Sequence, residues 1–254
     1  MAAIVLRMVG SSRRRSPLAW LILVIILLVL FPSENAQAQS AQVWLEGDVH
    51  KQLGKNWKYK GTPNFRKLAE NESWSRIGLS NTFSRKLYPW FTANVGVNLF
   101  YTADPVFADM EEIRPWLATK FIYPKFIGAI HLEKPYVSVK LEERFLWYPD
   151  EGADDQKTRL RVKIGGVFVL NNTKLTDKTF YMPVYVEDFH DFDGAAFERD
   201  ASRGRISIGL GYVFNPKWRG EFDFIAQDSL AGGFSGAERT DNIFQLKFDY
   251  YFGK

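Results

Sequence analysis

The chain has 254 residues, of which 46% are hydrophobic and 16% aromatic, and it contains no cysteine. The lack of cysteine excludes a disulfide framework, a thiolate metal site and a cysteine nucleophile, and a mean hydropathy of -0.22 excludes a bundle of membrane helices. Residues 1–38 hold four of the 33 basic and one of the 29 acidic residues, so the remainder has a net charge of only +1. This balance gives no argument for nucleic-acid binding.

The N-terminus has the three parts of a secretory signal peptide. Arg13, Arg14 and Arg15 precede the apolar run at residues 18–31, and Ala36-Gln37-Ala38 supplies small residues before a cleavage site. The run is short for a membrane-spanning helix, which needs about 20 apolar residues. We therefore predict cleavage after Ala38, with residues 1–38 as signal peptide and 39–254 as the mature domain. An uncleaved anchor is the alternative.

Apolar and polar residues alternate with a period of two along the mature chain, which is typical of β-strands. Each predicted strand spans about 11–14 residues, longer than the ~5–6 of globular strands and suited to a tilted membrane-spanning strand. These features predict an all-β fold, a transmembrane antiparallel up-and-down β-barrel. The predicted strands are 42–53, 57–68, 73–84, 90–102, 112–123, 135–147, 157–170, 178–189, 202–214, 218–228 and 241–252.

The alternation leaves two orientations open. In segment 157–170, for example, Leu160 and Val162 alternate with Arg159 and Arg161. A soluble barrel or sandwich would turn the apolar face inward, whereas an outer-membrane barrel turns it to lipid. Strand length and the signal peptide favour the membrane barrel, and a soluble secreted β-protein is the alternative.

Tryptophan follows three short turns, and longer polar loops lie between them. Such turns followed by an amphipathic aromatic residue indicate an interfacial girdle at the periplasmic rim of a barrel, although ordinary hairpins are the simpler interpretation. The three tryptophans are Trp57, Trp90 and Trp218, and the longer loops are 103–111, 148–156, 190–201 and 229–240.

The strand count is ambiguous. Eleven segments are an odd number, whereas bacterial single-chain barrels have an even number. Counting FIGAIHL at residues 126–132 as a further strand gives twelve, and removing the first segment from the wall gives ten. We predict ten to twelve strands and prefer twelve.

No catalytic or metal-binding motif is apparent. His50 lies two residues from Asp48 on the predicted lumen face, and His190 lies in the acidic stretch 187–194. That stretch lacks the spacing of a calcium-binding loop, and GGFSGA at 232–237 is not a serine-hydrolase elbow. We therefore expect no enzyme activity, cofactor or metal, with a lipase- or protease-like outer-membrane enzyme as the alternative.

The predicted lumen face is basic. If the polar face of every predicted strand points to the lumen, 15 basic and 8 acidic residues lie on that face. An open lumen would then favour anions, because the low-dielectric wall focuses the electric field of the excess basic residues. Pairing into a closed ion network is the equal alternative. The lumen-lining candidates are Lys140, Arg144, Arg159, Arg161, Lys163, Arg203, Arg205 and Arg219.

Several stretches resemble the outer-membrane proteins grouped as domain-of-unknown-function family 2490. They include QVWLEGDVHKQLGKNWKY, VKLEERFLW, RISIGLGYVFNPKWRGEFDF and DNIFQLKFDYYF. The most specific is R-x-x-x-G-L-G-Y-x-F-N-x-K-W at residues 205–218. The resemblance spans residues 42–252 and implies an outer-membrane barrel, with no activity and no catalytic residues attached.

The interpretation is an outer-membrane barrel that acts as a narrow channel or a passive envelope component. Its expected partners are outer-membrane lipid, lipopolysaccharide and the barrel-assembly machinery, which would read the closing strand at 241–252. In that strand Phe244, Leu246 and Phe248 are expected to face lipid, and Lys247 and Asp249 the lumen. The sequence predicts no nucleic-acid partner and does not fix the oligomeric state.

Overall fold

The structure, a computed structural model, describes residues 40–69, 73–106, 108–123, 132–149, 152–192, 201–230 and 238–253. The predicted signal peptide and the cleavage site at Ala38 lie outside these residues. All the predicted strand segments are strands, with ends shifted by a few residues. They are β1 (Ser40–Gln52), β2 (Trp57–Leu68), β3 (Ser75–Tyr88), β4 (Phe91–Ala103), β5 (Met110–Ile122), β6 (Leu132–Tyr148), β7 (Ala153–Val169), β8 (Thr179–Asp191), β9 (Ala201–Val213), β10 (Trp218–Leu230) and β11 (Glu238–Phe252).

The strands form a closed barrel in chain order, and this confirms the predicted all-β barrel. Every sequential pair is antiparallel, whereas β1 and β11 close the ring in parallel, from Ser40 opposite Asp241 to Lys51 opposite Phe252. An odd number of up-and-down strands requires this, because the first and last strands then run in the same direction. Eleven falls within the predicted range, but the preferred count of twelve is not reached. Residues 126–131 lie outside the described chain, Leu132 begins β6, and β5 pairs directly with β6.

The two rims of the barrel differ. The turns before Trp57 and Trp218, and the turn that contains Trp90, all lie at one rim, here called the Trp-turn rim, where β11 also ends. Aromatic side chains cluster on its outer surface, with Trp218 4.6 Å from Tyr250 and Trp90 stacked with Tyr88 at 5.4 Å. The other rim, where β1 begins, is called the opposite rim.

Most apolar side chains of the wall point outward, and most polar side chains point into the lumen. Outward residues along the wall are large and exposed, including Ile206 at 56%, Phe222 at 50% and Phe248 at 48%. Inward Glu142 and Arg144 are buried at 0% and 1%. This is the reverse of a soluble barrel, whose core would hold the apolar face. Within the described residues, no helix is long and apolar enough to cross a membrane.

Inward-facing glycines make room for aromatic rings inside the barrel. Gly96 on β4 lies opposite Trp116 on β5, and Gly78 on β3 lies opposite Phe100 on β4. A Cβ atom at Gly96 would meet the Trp116 ring at 2.5 Å, well inside van der Waals contact. The glycines therefore let both rings lie along the lumen wall.

Candidate functional site

The lumen contains a cavity of about 370 Å³, here called the lumen chamber. It is lined by eight basic side chains and by one carboxylate, that of Glu46. Six of the basic residues form a cationic wall on β5 to β9, and Lys60 and Arg66 lie on β2. The cationic wall consists of Arg114, Lys140, Arg144, Arg159, Arg161 and Arg205.

Glu112 on β5 does not line the chamber, and it binds two of these guanidinium groups. Its carboxylate is 1% exposed, and it accepts hydrogen bonds from Arg114 Nε at 2.7 Å and from Arg144 Nε at 2.7 Å. Arg114 also donates through Nη2 at 2.8 Å. Both carboxylate oxygens are thus engaged, which fixes the two arginines at the chamber wall.

Glu142 and Glu187 extend the network toward the Trp-turn rim. Glu142 lies 2.6 Å from Lys140 Nζ and 3.0 Å from Arg161 Nη1. Arg161 reaches Glu187 through Nη2 at 2.7 Å, and Lys163 lies 3.1 Å from the other oxygen of Glu187. One guanidinium therefore bridges two buried carboxylates, and each carboxylate also binds a lysine.

The other predicted lumen residues lie in varied surroundings. Arg159 donates to Asp191 at 2.5 Å, and Arg205 donates to Gln227 and lies 5.0 Å from the Trp44 ring. Arg219 stands 4.9 Å over the Tyr251 ring, and neither it nor Lys163 lines the chamber. Arg203 lies on β9, and its side chain is outside the described part.

The carboxylates that compensate the chamber cations lie outside the cavity. Among the described residues, those that bind lining cations include Asp48, Glu112, Glu142, Glu187 and Asp191. None of them lines the chamber. The described surface of the cavity is therefore cationic, with Glu46 as its one carboxylate.

A neutral wall faces the cationic one. It is formed by inward residues of β2, β3 and β4, all of them hydroxyl or amide side chains: Thr62, Asn64, Ser80, Thr82, Asn94 and Asn98. Trp116 and Phe100 lie where the two walls meet. Trp116 Nε1 donates to Asn98 Oδ1 at 3.0 Å, and Lys140 Nζ stands 4.2 Å over its ring.

The two ends of the lumen have different chemistry. Toward the opposite rim, inward apolar side chains, here called the apolar layer, are buried to 5% exposure or less, with polar Gln42 and Gln227 buried among them. The members of the apolar layer are Trp44, Leu68, Met110, Leu146, Ile225 and Ile243, of which Trp44, Ile225 and Ile243 form one cluster. Toward the Trp-turn rim, inward Lys58 and Lys60 on β2 are exposed or half-buried, whereas Val169 and Tyr181 on β7 and β8 are buried. The wetter approach to the chamber therefore lies at the Trp-turn rim, along β2.

His50 takes part in a contact across the closing strands. Its Nε2 lies 2.8 Å from Asp249 and 4.0 Å from Asp48, and its ring stacks on Tyr251 at 4.3 Å. The three ligand atoms lie within 4.8 Å of one another, but Lys60 Nζ is already 3.0 Å from Asp48. This ammonium group opposes the binding of a further cation.

The acidic stretch 187–194 is divided between the two faces of the wall. Glu187 and Asp191 point inward to arginines, while His190 is exposed on the outer face with its ring 5.0 Å from Phe192. Residues 193 and 194 lie outside the described chain. The described carboxylates therefore do not converge on one calcium site. GGFSGA at 232–237 also lies outside the described residues.

The sequence signature of a family described as protein of unknown function (DUF2490) matches residues 41–229. The chain belongs to this family. The match includes the strands of the cationic and neutral walls, from β1 to β10. No curated protein is detectably similar to the chain. Membership of DUF2490 therefore agrees with the barrel fold and brings no assigned activity.

Sequence reasoning missed the aromatic and apolar residues inside the lumen. Trp44 and Phe100 alternate in register with the polar residues that face the lumen on their strands. This position in the alternation is the sequence feature that indicates an inward orientation. Asp191 was also missed, because segment 178–189 was predicted to end before it. The neutral wall was passed over since hydroxyl and amide residues add nothing to a count of charges.

Proposed function

We propose that this DUF2490 protein is an outer-membrane β-barrel whose lumen chamber binds anions and which catalyses no reaction. The observation that carries the proposal is the chamber lining of eight basic side chains and one carboxylate. The barrel wall excludes water from the buried partners, so their fixed charges act through a low dielectric and favour an anion. Because most of these cations are held by hydrogen bonds or ion pairs, little rearrangement is needed when an anion enters.

The exposed apolar outer face supports residence in a membrane. Ile206, Phe222 and Phe248 are each about half exposed, and contiguous apolar surfaces of this extent are unusual on soluble monomers. Together with the predicted signal peptide, this surface favours location in the outer membrane. Lipid and lipopolysaccharide would then surround the wall, and the barrel-assembly machinery would recognise β11. Heat-modifiable migration on SDS gels tests this; unchanged mobility and extraction without detergent would contradict it.

We expect the apolar layer to restrict passage through the barrel. Leu146 and Ile225 are fully buried, and hydrophobic constrictions stop ions by excluding water. We therefore expect a chamber entered from the Trp-turn rim, and a very small conductance at rest. In planar bilayers the wild type should show no steady current, and Leu146→Ser should produce an anion-selective one. Any steady current through the wild type would contradict the restriction, and a cation-selective current through Leu146→Ser would contradict the anion preference.

Anion binding is tested on the refolded full-length chain in detergent micelles. Titration with sulfate, followed by calorimetry, should show saturable binding that Lys140→Gln with Arg205→Gln weakens about tenfold or more, since charge-assisted contacts are lost. The control is Lys51→Gln with Lys67→Gln, which removes the same charge from exposed positions. Absence of sulfate binding, or equal weakening by both pairs, would refute the proposal.

A further inference from the structure

The neutral wall has unused hydrogen-bonding capacity that faces the chamber. Within the described part of the chain, the hydroxyls of Ser80 and Thr82 engage in no side-chain hydrogen bond. Both hydroxyls line the chamber, so this wall is suited to a ligand that supplies donors and acceptors.

Two aromatic rings lie beside these polar groups. Trp116 and Phe100 occupy the space left by Gly96 and Gly78, and both rings line the chamber. A ring along a wall offers a flat apolar surface of large area. The chamber therefore presents cations, hydrogen-bonding groups and flat rings to the same small volume.

We infer that the ligand of the lumen chamber is a compact polyhydroxylated anion, of the chemical class of sugar acids. The inference rests on the proposed function. Its carboxylates would lie against the cationic wall at Lys140 and Arg161, its hydroxyls against Ser80 and Thr82, and its carbon skeleton on Trp116. A cavity of about 370 Å³ has room for about a dozen water molecules, which suits a ligand the size of one sugar.

Simpler ligands satisfy only part of this lining. An inorganic anion would use the cationic wall and leave the hydroxyls of Ser80 and Thr82 without a ligand partner. A neutral polyol would use the neutral wall and leave the excess of cations uncompensated. Discrimination of this kind is steep, because a site built to hydrogen-bond hydroxyls rejects an analogue that lacks them.

The test compares three probes of equal chain length on the full-length chain in micelles, with calorimetric detection. Glucarate and adipate carry the same two carboxylates and differ by four hydroxyls, while glucitol has hydroxyls and no charge. We expect glucarate to bind at least tenfold more tightly than adipate, and glucitol not to bind. The double change Ser80→Ala with Thr82→Val should reduce glucarate affinity about tenfold or more, since each hydroxyl contributes about fivefold, and leave adipate affinity unchanged.

The control variant is Thr119→Val, which alters a half-buried residue of the outer parity on β5. Adipate binding shows that the double variant is folded. Equal affinities for glucarate and adipate, or sulfate binding with no glucarate binding, would overturn the inference while the anion proposal stands. Failure of sulfate, adipate and glucarate alike would overturn both.

Discussion

Replacing Glu142 with glutamine should destabilise the barrel by removing the charge that compensates one side of the chamber. Glu142 is 0% exposed and lies 2.6 Å from Lys140, 3.0 Å from Arg161 and 3.6 Å from Arg114. Breaking a buried ion pair from one side costs about 3–5 kcal/mol, because the remaining charges stay buried. Glutamine keeps one oxygen acceptor, so we expect a loss of about 3 kcal/mol in the free energy of unfolding.

The control is Glu143→Gln on the same strand. Glu143 belongs to the outer parity and accepts hydrogen bonds from Thr158 at 3.0 Å and Gln156 at 2.8 Å. We expect a change of at most about 1 kcal/mol there. Both variants are measured by urea unfolding in micelles, with tryptophan fluorescence as the signal. Equal midpoints for the two variants would refute the structural role of the buried network.

The Glu142→Gln variant should also respond more strongly to anions. Losing one carboxylate increases the excess of positive charge at the chamber, and a ligand that binds only the folded state stabilises it by about 2.7 kcal/mol at one hundred times its dissociation constant. Saturating sulfate should therefore restore much of the lost stability. Equal stabilisation of wild type and variant by sulfate at one sub-saturating concentration would show that Glu142 does not oppose anion binding.

Three further predictions concern the wall. Gly96→Val should cost about 3 kcal/mol, because the added side chain would overlap the Trp116 ring; urea unfolding tests this against Gly54→Ala, which has open space around it. Ile206→Arg, in the middle of the exposed outer face, should cost about 2–4 kcal/mol in lipid vesicles, and an unchanged unfolding midpoint there would contradict membrane residence. Asp249→Ala should cost about 1–2 kcal/mol by losing its hydrogen bond across the closing strands, again by urea unfolding; a wild-type midpoint would show that this contact contributes nothing.

The sequence predicted the wall well because one rule governs every strand. Period-two alternation over long segments located all eleven strands, and β2 has the predicted limits at Trp57 and Leu68. The strand count was harder, because the expectation of an even number conflicted with the segments themselves. The parallel pairing of β1 and β11 follows once eleven strands are accepted, so the expectation of an even number also concealed how the barrel closes.

The chamber was only half predictable. Strand parity indicated that Arg161 and Lys140 share a face, but it cannot show that Glu142 and Glu187 lie behind them rather than in the cavity. That distinction depends on register between neighbouring strands and on side-chain length. The sequence did not indicate the apolar layer containing Leu146 either. An inward apolar residue near a strand end cannot be told apart from an irregularity in the alternation of apolar and polar residues.

The closing pair explains why so many specific contacts gather at β1 and β11. Parallel ladders are slightly less stable per residue than antiparallel ones, and this pair is the only parallel one among the described strands. Polar side chains reinforce it at both ends: Ser40 and Gln42 donate to Asp241 near the opposite rim, and His50 lies on Asp249 near the Trp-turn rim. Closure of the barrel thus accounts for the contact between His50 and Asp249.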